Sequence, residues 1–368
     1  MNVLFDHQCF TGLTYGGVSR YFFDLMSSFS SRSDIEFELS LRLSNNEYLN
    51  KASFSNHWRY QKLAHLRNIN MAASLFNRMY SAQRVKAGQF DIFHPTYYHR
   101  YFLKSIHKKP FVITFHDATS ERYGKIYPDV GEGLYEAKKQ LMLQADRIIS
   151  VSEFSKQEIV RFFPIDPDKI SVIHLGTNFP NNTTNSSVSA PTDFPYLLYV
   201  GKRGLYKNFD TFFKAIRPIL KRHPDLHLIC AGGGIFSTEE QMAFQEAHVS
   251  QRVHYRPITD DNLFRLYQHA EAFVFPSLNE GFGIPVLEAF SAGCPVIVSD
   301  RSSLPEVASN AAVYFDPENQ DSIASAVEQV LMDNALRNDL RQKGTERLKH
   351  FSCEKTAQKT LAVYQSLL

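Results

Sequence analysis

The chain has 368 residues, 43% hydrophobic and 21% charged, with a formal net charge of +2. That length allows two domains with substantial cores, and the near-neutral balance gives no global signature of nucleic-acid binding. Four scattered cysteines, Cys9, Cys230, Cys294 and Cys353, form no CxxC pair, which argues for buried free thiols in a reducing compartment and against a zinc site.

Charge is uneven along the chain. Residues 1–190 carry 22 Lys and Arg against 17 Asp and Glu, and the remainder carries 18 against 21. A basic first half suits an anionic surface or ligand, although scattered surface charge gives the same totals. The start, MNVLFD, runs directly into a strand pattern, so no signal peptide is expected. No apolar run approaches the roughly 20 residues of a membrane helix. The expected location is cytoplasmic, with any membrane contact peripheral at the inner face.

The first strand, NVLFD, leads through GLTYGGVSRY into a helix. Residues 18–29 place Val18, Tyr21, Phe22, Leu25, Met26 and Phe29 on one face at helical spacing. Gly16 and Gly17 just before it would let backbone amides reach a phosphate. The stretch is neither a GxGxxG fingerprint nor a Walker A loop. Residues 48–90 follow with seven basic residues (Lys51, Arg59, Lys62, Arg67, Arg78, Arg84 and Lys86) and no Asp or Glu. Phe54, Trp58, Tyr60, Leu63, Leu66, Met71, Leu75, Phe76, Met79 and Tyr80 are interleaved with them. Such a segment suits an interfacial helix on anionic lipid, and equally a helical hairpin whose apolar residues are core.

The strands DIFHP, FVITFHD, RIISVS and ISVIHLG complete the first half. TFHDAT puts His116 and Asp117 at a strand's end, a pair that fits either a structural or a catalytic role. The polar, aperiodic stretch NFPNNTTNSSVSAPTDFP, residues 178–195, reads as a linker. Beyond it YLLYVG, HLICAGG, VHYRP, AFVFPS and PVIVSD read as strands. Most of the runs lack strict alternation, as expected of parallel strands buried on both faces. Strand–helix alternation in both halves predicts two parallel α/β domains. A final helix over 352–368 has Leu361, Tyr364 and Leu367/Leu368 at helical spacing.

Two loops in the second half carry the chemistry. YVGKRGLYKN supplies Arg203 and Lys207 after a strand, and either could neutralise a diphosphate. LNEGFGIPVLEAF holds Glu280 and Glu288 with seven residues between them. Pro285 suits the first turn of a helix, and Gly281 and Gly283 allow close backbone approach. Amides around Phe282, Gly283 and Ile284 would then form an anion site at a helix N-terminus. Glu288 could accept ribose hydroxyls, and Glu280 would face a sugar. The same residues also fit an acidic loop whose early Glu merely favours the helix dipole.

Together, YGGVSRY, TFHD, VSEFSK, YVGKRGLYKN, AGGG, NEGFGIPVLEAFSAGCPVI and SDRSSLPEV resemble the retaining nucleotide-sugar glycosyltransferases of family four, of the bacterial polysaccharide and O-antigen type. The resemblance spans essentially the whole chain. It implies a GT-B fold, with two Rossmann-like parallel α/β domains facing across a cleft. The expected division is an acceptor-side domain 1–180, a linker 181–195, a nucleotide-sugar-binding domain 196–351, and a helix 352–368 returning to the first domain. The implied roles are Gly17 near the donor phosphates and His116 at the reaction centre. Arg203 and Lys207 hold the diphosphate, Glu280 binds donor-sugar hydroxyls, and Phe282 and Gly283 offer backbone N–H groups. Glu288 binds the ribose, and the backbone of Tyr255–Ile258 edges the base. Cys353 stands where relatives often carry an aromatic residue.

The implied partners are a nucleotide-sugar donor and a glycan or lipid-linked acceptor, without nucleic acid, metal or cofactor. Asp260-Asp261 is not placed to act as a metal-binding pair. The expected donor is GDP-mannose, with a UDP- or dTDP-sugar as the alternative. A non-catalytic nucleotide-sugar-binding protein, a phosphorylase and an epimerase are further alternatives.

Overall fold

The computed structural model describes residues 1–12, 14–59, 68–127, 133–178 and 190–368. Much of the expected linker, and Tyr60, Lys62, Leu63, Leu66 and Arg67, lie outside the described residues. The chain divides into two compact units, Met1–Gly176 with Cys353–Leu368, and Thr177–Ser352.

The first unit is a parallel sheet made of β1 (Asn2–Asp6), β2 (Glu36–Ser40), β3 (Ile92–His94), β4 (Val112–Phe115), β5 (Arg147–Ser150) and β6 (Ile170–Val172). The order β2-β1-β3 and the order β4-β5-β6 are joined by a parallel bridge between Phe93 and Phe111. Its helices are α1 (Gly17–Ser30), α2 (Ile69–Ala87), α3 (Thr119–Tyr123), α4 (Leu134–Gln144) and α5 (Glu153–Phe162). β1 pairs on both sides, and Val3 to Asp6 are buried, which explains its unbroken apolar run. Helix α1 buries Tyr21, Phe22, Leu25, Met26 and Phe29 of the predicted stripe, while Val18 in its first turn is half-exposed.

The second unit contains β7 (Tyr196–Val200), β8 (His227–Ala231), β9 (Val253–Arg256), β10 (Ala272–Phe275), β11 (Val296–Ser299) and β12 (Val313–Phe315) in the order β12-β11-β10-β7-β8-β9. All recorded pairings are parallel. Its helices are α6 (Phe209–Arg222), α7 (Thr238–Glu246), α8 (Asp260–His269), α9 (Ile284–Ser291), α10 (Leu304–Ala308), α11 (Gln320–Met332) and α12 (Asn334–Leu348). One face of the sheet is sealed by α6 and α11, whose Phe212, Ile216, Ile219, Ile323 and Val327 join Leu197, Leu228 and Val274 in a core.

The last helix, α13 (Cys353–Gln365), belongs to the first unit. Tyr364 is buried against Phe29, Thr356 Oγ1 donates to the His174 carbonyl at 2.8 Å, and Arg32 pairs with Glu354. All four cysteines are buried and free.

The edge strands β2 and β12 stand outside the strands predicted from sequence. Both are mostly half-exposed, so they lack the continuous apolar run that marks the inner strands.

Candidate functional site

In the second unit the chain begins at β7, builds outward through β8 and β9, then returns to the other side of β7 as β10. The order reverses between β7 and β10. In doubly wound sheets, ligands bind outside the carboxyl ends of the strands at such a point. Both chemistry-bearing loops emerge there, 201–208 after β7 and 276–283 after β10.

Backbone and side chains tie these loops together. The Leu278 N–H donates to the Tyr206 carbonyl at 2.8 Å. Buried Asn208 bridges the carbonyls of Pro276 and Pro317 through Nδ2, at 3.2 and 2.8 Å. Its φ of +59° starts α6, a conformation that asparagine tolerates. Lys207 Nζ donates to Glu280 Oε1 at 2.5 Å. Residues 73 positions apart thus form one ion pair, with both side chains mostly shielded from solvent.

The glutamate loop is held from behind. The Glu280 N–H donates to Ser302 Oγ, and its carbonyl accepts from Ser303 Oγ, each at 3.0 Å. Gly283 caps α9 with φ +101°, and a Cβ there would sit 2.8 Å from Leu304 Cδ2, so both conformation and space require glycine. Phe282 is buried edge-on to Phe351, with ring centroids 5.7 Å apart, and anchors the turn. Glu288, on α9, is half-buried and accepts from the Tyr267 hydroxyl at 3.2 Å. Burial, reinforced by Glu288 and Cys294, pushes the Tyr267 pKa well up, so the phenol stays a donor.

Arg203 lies on the other side of loop 201–208, toward β8. Its side chain is 5% exposed, and its guanidinium donates to Glu240 and to the carbonyls of Gly232, Gly234 and Ile235. Family resemblance points Arg203 at a diphosphate, but here protein acceptors hold it. The aligned expectations therefore separate: Lys207 and Glu280 come together, while Arg203 faces the glycine turn.

In the first unit, Gly17 is the first residue of α1, and a Cβ on it would meet open space. His116 follows β4, its N–H donating to the Tyr98 hydroxyl at 3.0 Å. The rings of Tyr21 and Phe22 flank it at 5.5 and 6.1 Å, and Nε2 is buried without a hydrogen-bond partner. Burial brings its pKa down to about 4; Asp117 opposes and Lys138 assists. The ring is therefore neutral at physiological pH.

Two buried polar groups of the same unit carry no sequence signal. Lys138, on α4, is buried and donates to the Asp117 carbonyl, Ser120 Oγ and Glu121 Oε2, each at 2.9 Å. His94 is fully buried between the Tyr364 hydroxyl at 2.5 Å and Thr114 Oγ1 at 2.9 Å, and burial lowers its pKa to about 3. Among the described residues, no group of three or more His, Cys, Asp or Glu could hold a metal ion.

Solved structures share this architecture of two Rossmann-like units. Sucrose-phosphate synthase from Thermosynechococcus elongatus matches with a TM-score of 0.79 at 21% identity, covering 100% of this chain and 98% of the other. Anabaena HepE in complex with UDP-glucose matches with a TM-score of 0.73 at 14% identity, covering 100% of both chains. The fold is GT-B.

The chain belongs to the GT-B glycosyltransferases of family four: the Glycosyltransferase Family 4 model matches residues 15–179, and the Glycosyl transferases group 1 model matches 181–347. An uncharacterized glycosyltransferase of Methanocaldococcus jannaschii is 29% identical over 72% of this chain and 71% of its own length. The O-antigen chain mannosyltransferase B of Escherichia coli is 29% identical over 70% of each.

Proposed function

We propose that this glycosyltransferase is a retaining hexosyltransferase of cell-surface polysaccharide synthesis. It transfers mannose from GDP-mannose to a hydroxyl of a glycan or lipid-linked acceptor. The observation that carries the nucleotide-sugar reading is the Lys207–Glu280 pair at the strand-order reversal, beside the N-terminus of α9. The mannose assignment rests on the O-antigen mannosyltransferases of Escherichia coli and Salmonella typhimurium among its relatives. A UDP-sugar is the second reading, favoured by the HepE complex with UDP-glucose.

In this reading the donor diphosphate draws Lys207 from Glu280 and lies toward the amides at the start of α9. As the sugar–phosphate bond breaks, charge grows on the leaving oxygens. A fixed ammonium and oriented N–H groups stabilise that charge without reorganising. Glu280, released, accepts from sugar hydroxyls, and Glu288 accepts from the ribose. The acceptor attacks on the face the phosphate leaves, and the phosphate takes the acceptor's proton. The family-implied roles of His116 toward the sugar and Gly17 toward the phosphates are part of the proposal. A neutral His116 can exchange one hydrogen bond with a hydroxyl through Nε2. A thermal-shift screen of nucleotide sugars tests the reading, because a true donor raises the unfolding temperature by mass action. No shift with any GDP-, UDP- or dTDP-sugar would remove it.

The proposal includes peripheral membrane contact through residues 48–90. Helix α2 turns Ala73, Asn77, Ser81 and Val85 inward and leaves Met71, Leu75, Phe76 and Met79 exposed. Its inner face is fastened by polar bonds: Asn77 joins the Leu43 backbone and Thr11, and Ser81 joins Ser40 and Tyr101. The apolar side therefore faces out, with exposed Trp58 available as an interfacial anchor. Phe54 instead packs on Phe23 and Phe37, and Arg59 and Arg84 pair with Glu47 and Glu38. Apolar insertion thus carries more of the proposed contact than the count of basic residues implies. Among the described residues, no helix is long and apolar enough to cross a membrane.

A further inference from the structure

We infer that Arg203 is a positioning residue: it clamps the 232–235 turn to the loop that carries Lys207, and it serves nucleotide binding without touching the diphosphate. The inference rests on the nucleotide-sugar reading of this site.

The clamp is built in layers. Glycines 232, 233 and 234 have φ of +76°, +74° and +87°, three successive residues in a conformation that other residues resist. A Cβ on Gly233 would lie 2.4 Å from the Gly201 carbonyl oxygen, so the turn after β8 packs backbone-on-backbone against the loop after β7. Such a turn points carbonyls inward that need donors. Arg203 supplies them: Nη1 to Gly232 at 3.1 Å, and Nη2 to Gly234 and Ile235, each at 2.9 Å. Its Nε donates to Glu240 Oε1 at 2.7 Å, and the guanidinium lies over the Phe236 ring at 4.8 Å.

Glu240 is fixed in turn. It closes the capping box of α7: the Ser237 N–H donates to Glu240 Oε2 at 2.7 Å, and the Glu240 N–H donates to Ser237 Oγ at 3.2 Å. The carboxylate is therefore set by the helix start, and the guanidinium by the carboxylate. Moving Arg203 to a ligand would strip three carbonyls of their donor and leave Glu240 without its ion-pair partner. Breaking such bonds is far less favourable than leaving the arginine in place. On the opposite side of the same loop, Lys207 pairs with Glu280, which itself faces the proposed sugar site. The three carbonyls and the carboxylate that hold Arg203 assign it the geometry of the loop rather than the phosphate charge.

The two possible roles of Arg203 predict opposite signs for Glu240. If Arg203 touched the diphosphate, Glu240 would compete with the ligand, and Glu240→Ala would leave affinity unchanged or tighten it. As a clamp, Arg203 needs Glu240. Affinity for GDP, UDP and dTDP is measured by calorimetry for the wild type, Arg203→Ala, Arg203→Lys, Glu240→Ala, the Arg203→Ala/Glu240→Ala double variant and Lys207→Ala. Thermal unfolding of each variant reports folding. Glu240→Ala is expected to weaken binding by about 10- to 100-fold, as Arg203→Ala does. The double variant should be no worse than either single one, because both remove the same clamp. Arg203→Lys should fail to rescue, since a point charge cannot reach three carbonyls and a carboxylate together. Arg203→Ala should keep the wild-type salt dependence of binding, whereas Lys207→Ala flattens it. Tighter binding in Glu240→Ala, or rescue by Arg203→Lys, would overturn the clamp and restore a direct contact. If Arg203→Ala does not fold, Glu240→Ala and Arg203→Lys still decide. A wild-type protein that binds none of the three nucleotides overturns the nucleotide reading itself, and the inference with it.

Discussion

The two units place chemistry at the ends of parallel strands in contrasting ways. After β7 and β10 in the second unit, the groups are charged and paired: Lys207 with Glu280, and Arg203 with Glu240. After β4 in the first unit, the central group is a neutral imidazole walled by Tyr21, Phe22 and Tyr98, its nearest cation turned to backbone and to Glu121. An ionic site kept in register by its own ion pairs suits a diphosphate. A desolvated, uncharged histidine suits a hydroxyl. The difference teaches that one fold reaches two electrostatic regimes by what it packs beneath the loop.

The contrast breaks most readily at Lys207. Lys207→Ala should lower turnover by about 10²- to 10³-fold, far more than it lowers stability. Single-turnover rates with the donor found in the screen check this, and near-normal rates would remove the diphosphate assignment.

A smaller effect separates the two glutamates. Glu288→Ala should weaken free nucleoside diphosphate by about 10-fold or more, because it removes a charged acceptor from the ribose. Glu280→Ala should spare that affinity and instead raise KM for the nucleotide sugar. Equal losses of free-nucleotide affinity would merge the roles.

The neutral side of the comparison is tested by pH. The pKa of His116 falls from 6.5 to about 4 on folding, and that of His94 from 6.5 to about 3. Between pH 6.5 and about 4 for His116, and down to about 3 for His94, the unfolded chain binds protons that the folded chain refuses. The stability these histidines contribute is thus fully present above pH 6.5 and is lost as pH falls through that window. The unfolding temperature should drop across it, and less steeply in His94→Gln. The pH–rate profile should show no step near 6.5 from His116.

The smallest effect on stability concerns α2. Replacing Met71, Leu75 and Met79 together by Ser should change stability little, since all three are exposed. Flotation with anionic vesicles should nevertheless be lost, and wild-type flotation should depend on salt more weakly than seven basic residues would give. Unchanged flotation would show that the outward face of α2 is not the membrane contact.

Much of the architecture was legible in residue order. Inner strands announce themselves by unbroken apolar runs because both faces are buried, and α1 by its stripe. Gly283 and Pro285 mark the start of α9 because φ and the missing N–H confine where those residues fit. Of the half-exposed edge strands, β6 and β9 were legible from ISVIHLG and VHYRP, whereas β2 and β12 were not. The site's residue types were visible too: Glu280, Arg203 and Lys207 stand in loops after strands, and Glu288 on the helix that follows. Their partners were not. Nothing local says that Lys207 meets Glu280, that Arg203 turns to Glu240, or that Lys138 is buried against Glu121. Those pairings depend on which strands become neighbours. The placement of β10 beside β7 fixed the first of them, and the glycine turn after β8 the second. Sequence determined which groups the molecule has and on which elements they ride. Tertiary packing decided which charges are spent on each other and which face of α2 looks outward, because ion-pair geometry and desolvation exist only once distant segments share a space.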